Sequence, residues 1–512
     1  MPFQKRYYYN ICPGLQKNYS SLDVIGDEKI KLLTFDGEKV HTCDYAKMES
    51  YQVMEMSNKR KTGSSGMDML HGSMLDKMLL FALPLAAGSI LQQLFNAVDV
   101  AVVGQFASSQ ALAAVGANTP VISLMVNLFV GISVGSNVVI ANYIGQRAEN
   151  RIKGAVHTSI MVAIISGVFL MLLGLVVAKP LLQLMSTPED VIDLAVVYLR
   201  IYCIGMPFTM VYNFGAAILR SVGDTRKPLY CLILSGVVNA GLNLIFVIVF
   251  HMGVSGVAIA TVISNILSAW LVVRFLMRAD ETVRLNLKEI RIQKDELVRI
   301  LRIGLPAGLQ GMVFSVANVC IQASINGFGS DAVAGSAAAA NFEYFSYYAV
   351  SGYSSAVMTF MSQNLGAGKV KRCRKAFAIG MVCAVITCLI LNTVVYLCKD
   401  FCIGIFTSEP AVAEYAVLRL KYVLLLHFLI CTYEITGSAL RGLGHSLTPA
   451  LLTVFGTCVL RLVWINTVAV KYHTFPVLMS VYPFSWMVTG AMVIISFIVI
   501  WKKHGYGKIT KI

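Results

Sequence analysis

The stretch MLLFALPLAAGSILQQLFNAVDVAVVG, residues 78–104, decides the fold class. It is longer than the ~20 apolar residues a helix needs to cross a bilayer. Its one ionisable side chain is Asp99. A carboxylate at the centre of a membrane helix costs about 2.5–3.5 kcal/mol on insertion scales. Its presence there asks for a partner or a task.

The surrounding chain of 512 residues is 57% hydrophobic and 13% charged, with a mean hydropathy of +0.69. A soluble domain carries about 25% charged residues, so an integral membrane protein is expected. Apolar runs of helical length lie near 78–103, 113–144, 155–178, 191–218, 229–250 and 254–277. Six more lie near 300–325, 332–363, 376–398, 411–439, 448–470 and 478–501. Strands do not explain runs this long, so twelve membrane helices are predicted.

The net charge of +15 does not point to nucleic acid. Lys and Arg collect in alternate loops: Arg147, Arg151 and Lys153; Arg220, Arg226 and Lys227; the connector RADETVRLNLKEIRIQKDELVR; Lys369, Lys371 and Arg372; Lys502 and Lys503. The opposite loops hold Lys179, Lys399 and Lys471. The basic side is therefore expected to be cytoplasmic, with both termini on it, in a multi-pass plasma-membrane protein.

The chain also repeats itself. FALPLAAGSILQQLFNAVDVAVVG aligns with RIGLPAGLQGMVFSVANVCIQASING, matching Pro84 to Pro306 and Asn96 to Asn318. AAILRSVGDTRKPL aligns with GSALRGLGHSLTPA, matching Arg220 to Arg441 and Pro228 to Pro449. The offset stays at 221 or 222. Two parallel six-helix halves follow, an architecture typical of secondary transporters. The expected division is an extension over 1–66, a first lobe over 67–278, a cytoplasmic connector over 279–299, a second lobe over 300–503 and a tail over 504–512. No cleavable signal is visible in residues 1–66, which read as a disordered extension or as sequence upstream of a start at Met54, Met56 or Met67. The twelve Cys show no metal or disulfide spacing and read as packing residues.

The polar groups in the apolar spans form a pattern. Ser89, Gln92, Asn96 and Asp99 stand at i, i+3, i+7 and i+10 and share one helix face. Such a stripe faces a bundle interior or a water-filled cavity. The second half keeps Pro306 and Asn318 but has Ile321 where Asp99 aligns, so the shared fold does not need the carboxylate. Asp99 is predicted to couple transport to an ion, because a proton and an organic cation would compete for one negative charge. Asn239 and Asn243, in line with Ser235, are candidate partners, as are Tyr212 and Asn213, which follow a bend expected at Pro207. Amides and a phenol can hydrogen-bond either form of a carboxyl group; they serve equally as interhelical glue.

The second half carries Glu343 near Tyr347, and Glu434 with His427 seven residues earlier. Tyr212-Asn213 aligns with Tyr433-Glu434, so the second half is acidic where the first has an amide. Carboxylates among aromatic rings suit a delocalised cation. Alternatively Arg461 is a structural counter-charge for either Glu.

These residues resemble the multidrug and toxic compound extrusion (MATE) family of cation antiporters. The resemblance rests on ALP at 82–84, VDVAVVG at 98–104, ALAAVGA at 111–117, ILRSVGDTRKPL at 218–229, GLPAGLQ at 304–310, QNLGAGK at 363–369 and ALRGLG at 439–444, in order. It implies two six-helix lobes around a central cavity and export of small organic cations or drugs in exchange for H⁺ or Na⁺. It also implies a coupling role for the acidic residue of the first helix, here Asp99. One branch of the family uses acidic residues in helices 7 and 10; helix 7 here has none. A monomer among membrane lipids is expected, with no cofactor beyond the coupling ion, no nucleic-acid partner, and no metal other than Na⁺ at Asp99. The alternatives are a lipid-linked precursor flippase of the related superfamily and, from another class, an intramembrane enzyme. No HExxH or Walker A motif is present, which leaves zinc-hydrolase chemistry and direct ATP use without a motif.

Overall fold

The computed structural model describes residues 19–25, 29–34, 40–44, 66–185 and 187–505. It divides into two units, Met1–Ser65 and Gly66–Ile512. In the first unit, β1 (Tyr19–Ile25), β2 (Lys29–Thr34) and β3 (Val40–Asp44) form an antiparallel sheet in that order. The remainder of the expected 1–66 extension, apart from Gly66, lies outside the described residues.

The second unit is helical among its described residues and holds twelve long helices. They are α1 (Met74–Phe106), α2 (Ser109–Gln146), α3 (Glu149–Leu184), α4 (Glu189–Ile204 and Met206–Ser221), α5 (Arg226–Val249) and α6 (Gly253–Met277). The second set is α7 (Lys294–Asn326), α8 (Ser330–Gly366), α9 (Val370–Leu397), α10 (Pro410–Gly442), α11 (Leu447–Tyr472) and α12 (Phe475–Lys503). Ten are long and apolar enough to cross a membrane, and α4, whose halves meet at 48°, makes eleven. The twelfth, α8, is rich in Ala, Ser and Gly, and most of its residues from Gly352 to Asn364 are buried by protein. The break in α4 falls at Gly205, with Pro207 starting the second half, where its missing N–H is harmless.

The repeat is visible in the backbone. Gly223 and Gly444, equivalent at offset 221, turn the loops after α4 and α10 with φ of +90° and +88°, a region that favours glycine. The lobes also exchange their starting segments. Met74, Met78 and Phe81 of α1 pack in the core of the second lobe, with Phe81 edge-on to Phe360 at 6.0 Å. Ile300 and Ile303 of α7 pack in the core of the first.

The lobes touch on the side of the basic loops. There α2 and α7 cross through two GxxxG pairs, Gly131/Gly135 and Gly304/Gly308, the small-residue device that lets membrane helices approach closely. A Cβ on Gly131 would lie 2.2 Å from Gly308 Cα, and one on Gly135 2.2 Å from the Ile300 carbonyl oxygen. Hydrogen bonds seal the seam. Tyr143 donates to Glu296 (2.6 Å), Ser362 to the Val138 carbonyl (2.6 Å), and Gln363 to the Ser221 carbonyl (2.6 Å). Residues 66–72 run between loops of both lobes. Gly66 abuts Val222, while Asn364 and Arg372 donate to the Met69 carbonyl at 3.2 and 3.3 Å.

Candidate functional site

The first-lobe cluster is built by α1, α5 and α6. Asp99, half-buried in the half of α1 away from the basic loops, accepts a short hydrogen bond from Asn243 Nδ2. Asn243 is fully buried and stands 3.4 Å from Asn239 Oδ1; Asn239 Nδ2 in turn reaches Thr261 Oγ1 at 3.5 Å. The four-residue spacing in α5 is what stacks the two amides. Asn243 Oδ1 is buried and has no hydrogen-bond partner among the described residues. An amide oxygen beside a carboxylate is a donor set for a proton or a hard cation, since both groups offer oxygen.

The other residues expected around Asp99 lie elsewhere. Gln92, Tyr212 and Asn213 line a cavity of about 310 Å³, with Ser89, Arg220 and, across the lobe seam, Ser355 of α8. The bend in α4 directs Tyr212 and Asn213 towards that seam, where Tyr212 donates to the Pro228 carbonyl (3.3 Å) and Asn213 to the Thr209 carbonyl (2.9 Å). Asn96 is exposed and makes no hydrogen bond among the described residues.

A second cavity, of about 230 Å³, is lined by Tyr347, Glu434, Arg441, Gln310, Phe314 and Asn127. The two cavities are related by the repeat. One is walled by α1, α4 and α5, the other by α7, α10 and α11, and both α2 and α8 line each of them. Each lobe's second helix therefore reaches into the other lobe's cavity as well as its own. The cavities meet at Val130 and Val134 of α2, which line both.

Three second-lobe expectations are corrected. Glu343 does not face this cavity. It forms a buried two-pronged pair with Arg419, at 2.7 and 2.9 Å, and Arg419 also donates to Ser336. The counter-charge is thus Arg419 and not Arg461. Arg461 is 1% exposed, donates to Ser485 (3.0 Å) and lies 4.8 Å over the Tyr482 ring. His427 does not join Glu434; it meets Ser346 Oγ at 3.1 Å and the edge of Trp486. A 3₁₀ turn at His427–Leu429 breaks the regular phase of α10 between the two residues, so seven residues no longer restore the same face. Glu434, and not Glu343, shares the cavity wall with Tyr347, and Ser354 Oγ lies 3.4 Å from its carboxylate.

A family model described as MatE matches residues 84–245 and 306–465, one block in each lobe. The chain belongs to the MATE family. Among its relatives is the probable multidrug resistance protein YoeA of Bacillus subtilis, 29% identical over 388 residues, covering 74% of this chain and 83% of that protein. The probable multidrug resistance protein NorM of Thermotoga maritima is 28% identical over 404 residues, covering 77% and 86%. A crystal structure of a MATE protein in a bent conformation has a TM-score of 0.79 at 23% identity, covering 88% of this chain and 99% of that one. An outward-facing multidrug resistance MATE transporter of the MOP superfamily gives the same TM-score at 22% identity, over 88% and 100%. At that identity these structures speak for the fold.

Within this MATE chain, sequence reasoning missed Thr261, Arg419, and the pairing of Arg441 with Gln310 Oε1 at 2.7 Å. A signal existed for Arg441, because its match to Arg220 marks a repeated guanidinium beside a Tyr-Asn or Tyr-Glu pair. No such signal existed for Arg419, which is unmatched by any motif.

Proposed function

We propose that this MATE chain is a multidrug efflux transporter that exports small organic cations in exchange for H⁺ or Na⁺ by alternating access, with Asp99 as the coupling group. The observation that carries the reading is the Asp99–Asn243 pair with its unpartnered amide oxygen. A carboxylate in an apolar helix needs a proton, a cation or water beside it. Binding of the coupling ion at Asp99 removes that charge, and release restores it. The Glu434 cavity supplies one carboxylate among Tyr347, Tyr433 and Phe314, a lining suited to a cationic drug. With the basic loops cytoplasmic in the plasma membrane, the seam at Gly131 and Gly308 closes the cytoplasmic side and leaves Asp99 in the opposite half. The names of the relatives YoeA and NorM support multidrug resistance as the physiological setting.

The test is purified protein in liposomes with pH and Na⁺ gradients imposed separately, and a fluorescent organic cation as substrate. The expected result is uphill efflux driven by one of the two gradients and lost in Asp99→Asn. Uphill efflux retained in Asp99→Asn refutes the coupling assignment, and efflux indifferent to both gradients refutes antiport.

A further inference from the structure

The two related cavities differ in a respect that cation export does not use. In the second-lobe cavity, Arg441 donates to Gln310 Oε1 (2.7 Å) and Ser438 Oγ (3.2 Å), and the Glu434 carboxylate shares the wall. The repeat carries Arg441 onto Arg220, Ser438 onto Ala217 and Glu434 onto Asn213 at offset 221. At offset 222, which carries Pro306 onto Pro84, Gln310 falls on Gly88. The first-lobe cavity keeps the guanidinium and lacks the three groups that hold or balance its twin. Arg220 is half-buried on the cavity wall and makes no hydrogen bond or ion pair among the described residues. Among the described residues no Asp or Glu lines this cavity. The hydroxyls of Ser89, Ser351 and Ser355 on its walls have no partner among the described residues either.

A guanidinium offers five donors in a fixed fork and accepts nothing. Its complement is a carboxylate or a phosphate, gripped by two parallel hydrogen bonds. We propose that the Arg220 cavity is an anion subsite that takes a carboxylate or phosphate group, with the serine hydroxyls completing its shell. Its volume of about 310 Å³ suits a small-molecule group. The subsite adjoins the Glu434 cavity along Val130 and Val134, so the substrate class widens from cations to compounds that carry an acid as well. This rests on the reading of the two cavities as part of the transport path.

The experiment compares a rhodamine bearing a free carboxylate with its ethyl ester, by fluorescence polarisation, on full-length protein in phosphatidylcholine nanodiscs. Arg220→Gln is expected to weaken the acid by about tenfold or more and to leave the ester unchanged. Arg220→Lys, which keeps the charge without the fork, is expected to fall between. The double variant Gly88→Gln/Ala217→Ser rebuilds the partners found at Arg441; it is expected to weaken the acid alone, without removing the charge. Displacement of the acid by inorganic phosphate assigns the subsite to free anions. Displacement only when the discs contain phosphatidylglycerol assigns it to a lipid headgroup, and both support the anion chemistry. The proposal is overturned if the wild type does not bind the acid, if Arg220→Gln or the double variant leaves acid affinity unchanged, or if acid and ester weaken together. Gradient-driven efflux of the ester reads out the transport function separately.

Discussion

Substitution of Gly131 by Ala places a methyl group where the structure has none to spare. The new Cβ would lie 2.2 Å from both Gly308 Cα and Gly308 N. Carbon atoms rest about 3.5–4.0 Å apart, so α2 and α7 must part by roughly 1.5 Å at the crossing. Overpacking of this kind costs about 1–3 kcal/mol. The crossing belongs to the conformer in which the lobes are shut on the side of the basic loops, so the cost falls on that conformer. A shift of about 5- to 150-fold towards lobe separation on that side is expected. Spin labels at Asn150→Cys and Lys375→Cys, both exposed and on opposite lobes, report the separation directly in liposomes, in a background without other reactive cysteines. Gly241→Ala is the matched control, because no atom lies within 4 Å of its added Cβ. It should leave the distances unchanged and gain about 0.5–1 kcal/mol in unfolding stability, from lost backbone freedom alone. Identical distance distributions in Gly131→Ala and Gly241→Ala would refute the account of the seam.

Three further outcomes are expected. Glu343→Gln strands a buried Arg419 and should cost about 3–5 kcal/mol in unfolding stability, whereas Glu343→Met/Arg419→Met should recover most of it; equal losses in a denaturation series would contradict this. Tyr143→Phe removes a hydrogen bond to a buried carboxylate and should weaken lobe closure by about 1.5–3 kcal/mol, seen as a longer distance between the same spin labels. Glu434→Gln should weaken binding of a cationic dye about tenfold in direct titration, since an aromatic-lined carboxylate is replaced by a neutral amide; unchanged affinity would place the cation site elsewhere.

Much of the fold was legible because it is written in long apolar runs and in a repeat. The twelve spans and the parallel halves needed only the bilayer thickness and the offset between Pro84 and Pro306. Asp99 and Asn243 were legible as polar groups that an apolar helix does not tolerate idly. The rest depends on contacts that local pattern does not encode. The Arg419 partner of Glu343 lies 76 residues along the chain. His427 and Glu434 part faces because a 3₁₀ turn at His427–Leu429, which residue spacing does not reveal, interrupts the helical phase between them. Tyr212 and Asn213 were assigned to Asp99 because the sequence shows that α4 bends without showing in which direction.

The sharing of second helices between cavities bears on how such a protein acquires resistance to new compounds. Val130 and Val134 line both chambers, so a substitution at either position alters two chemically different walls at once. A change selected for one compound is then tested simultaneously against every compound that uses the other chamber. Broadening of the drug spectrum should therefore begin at positions that line a single chamber, such as Phe314 or Leu232, with the shared valines among the last to vary.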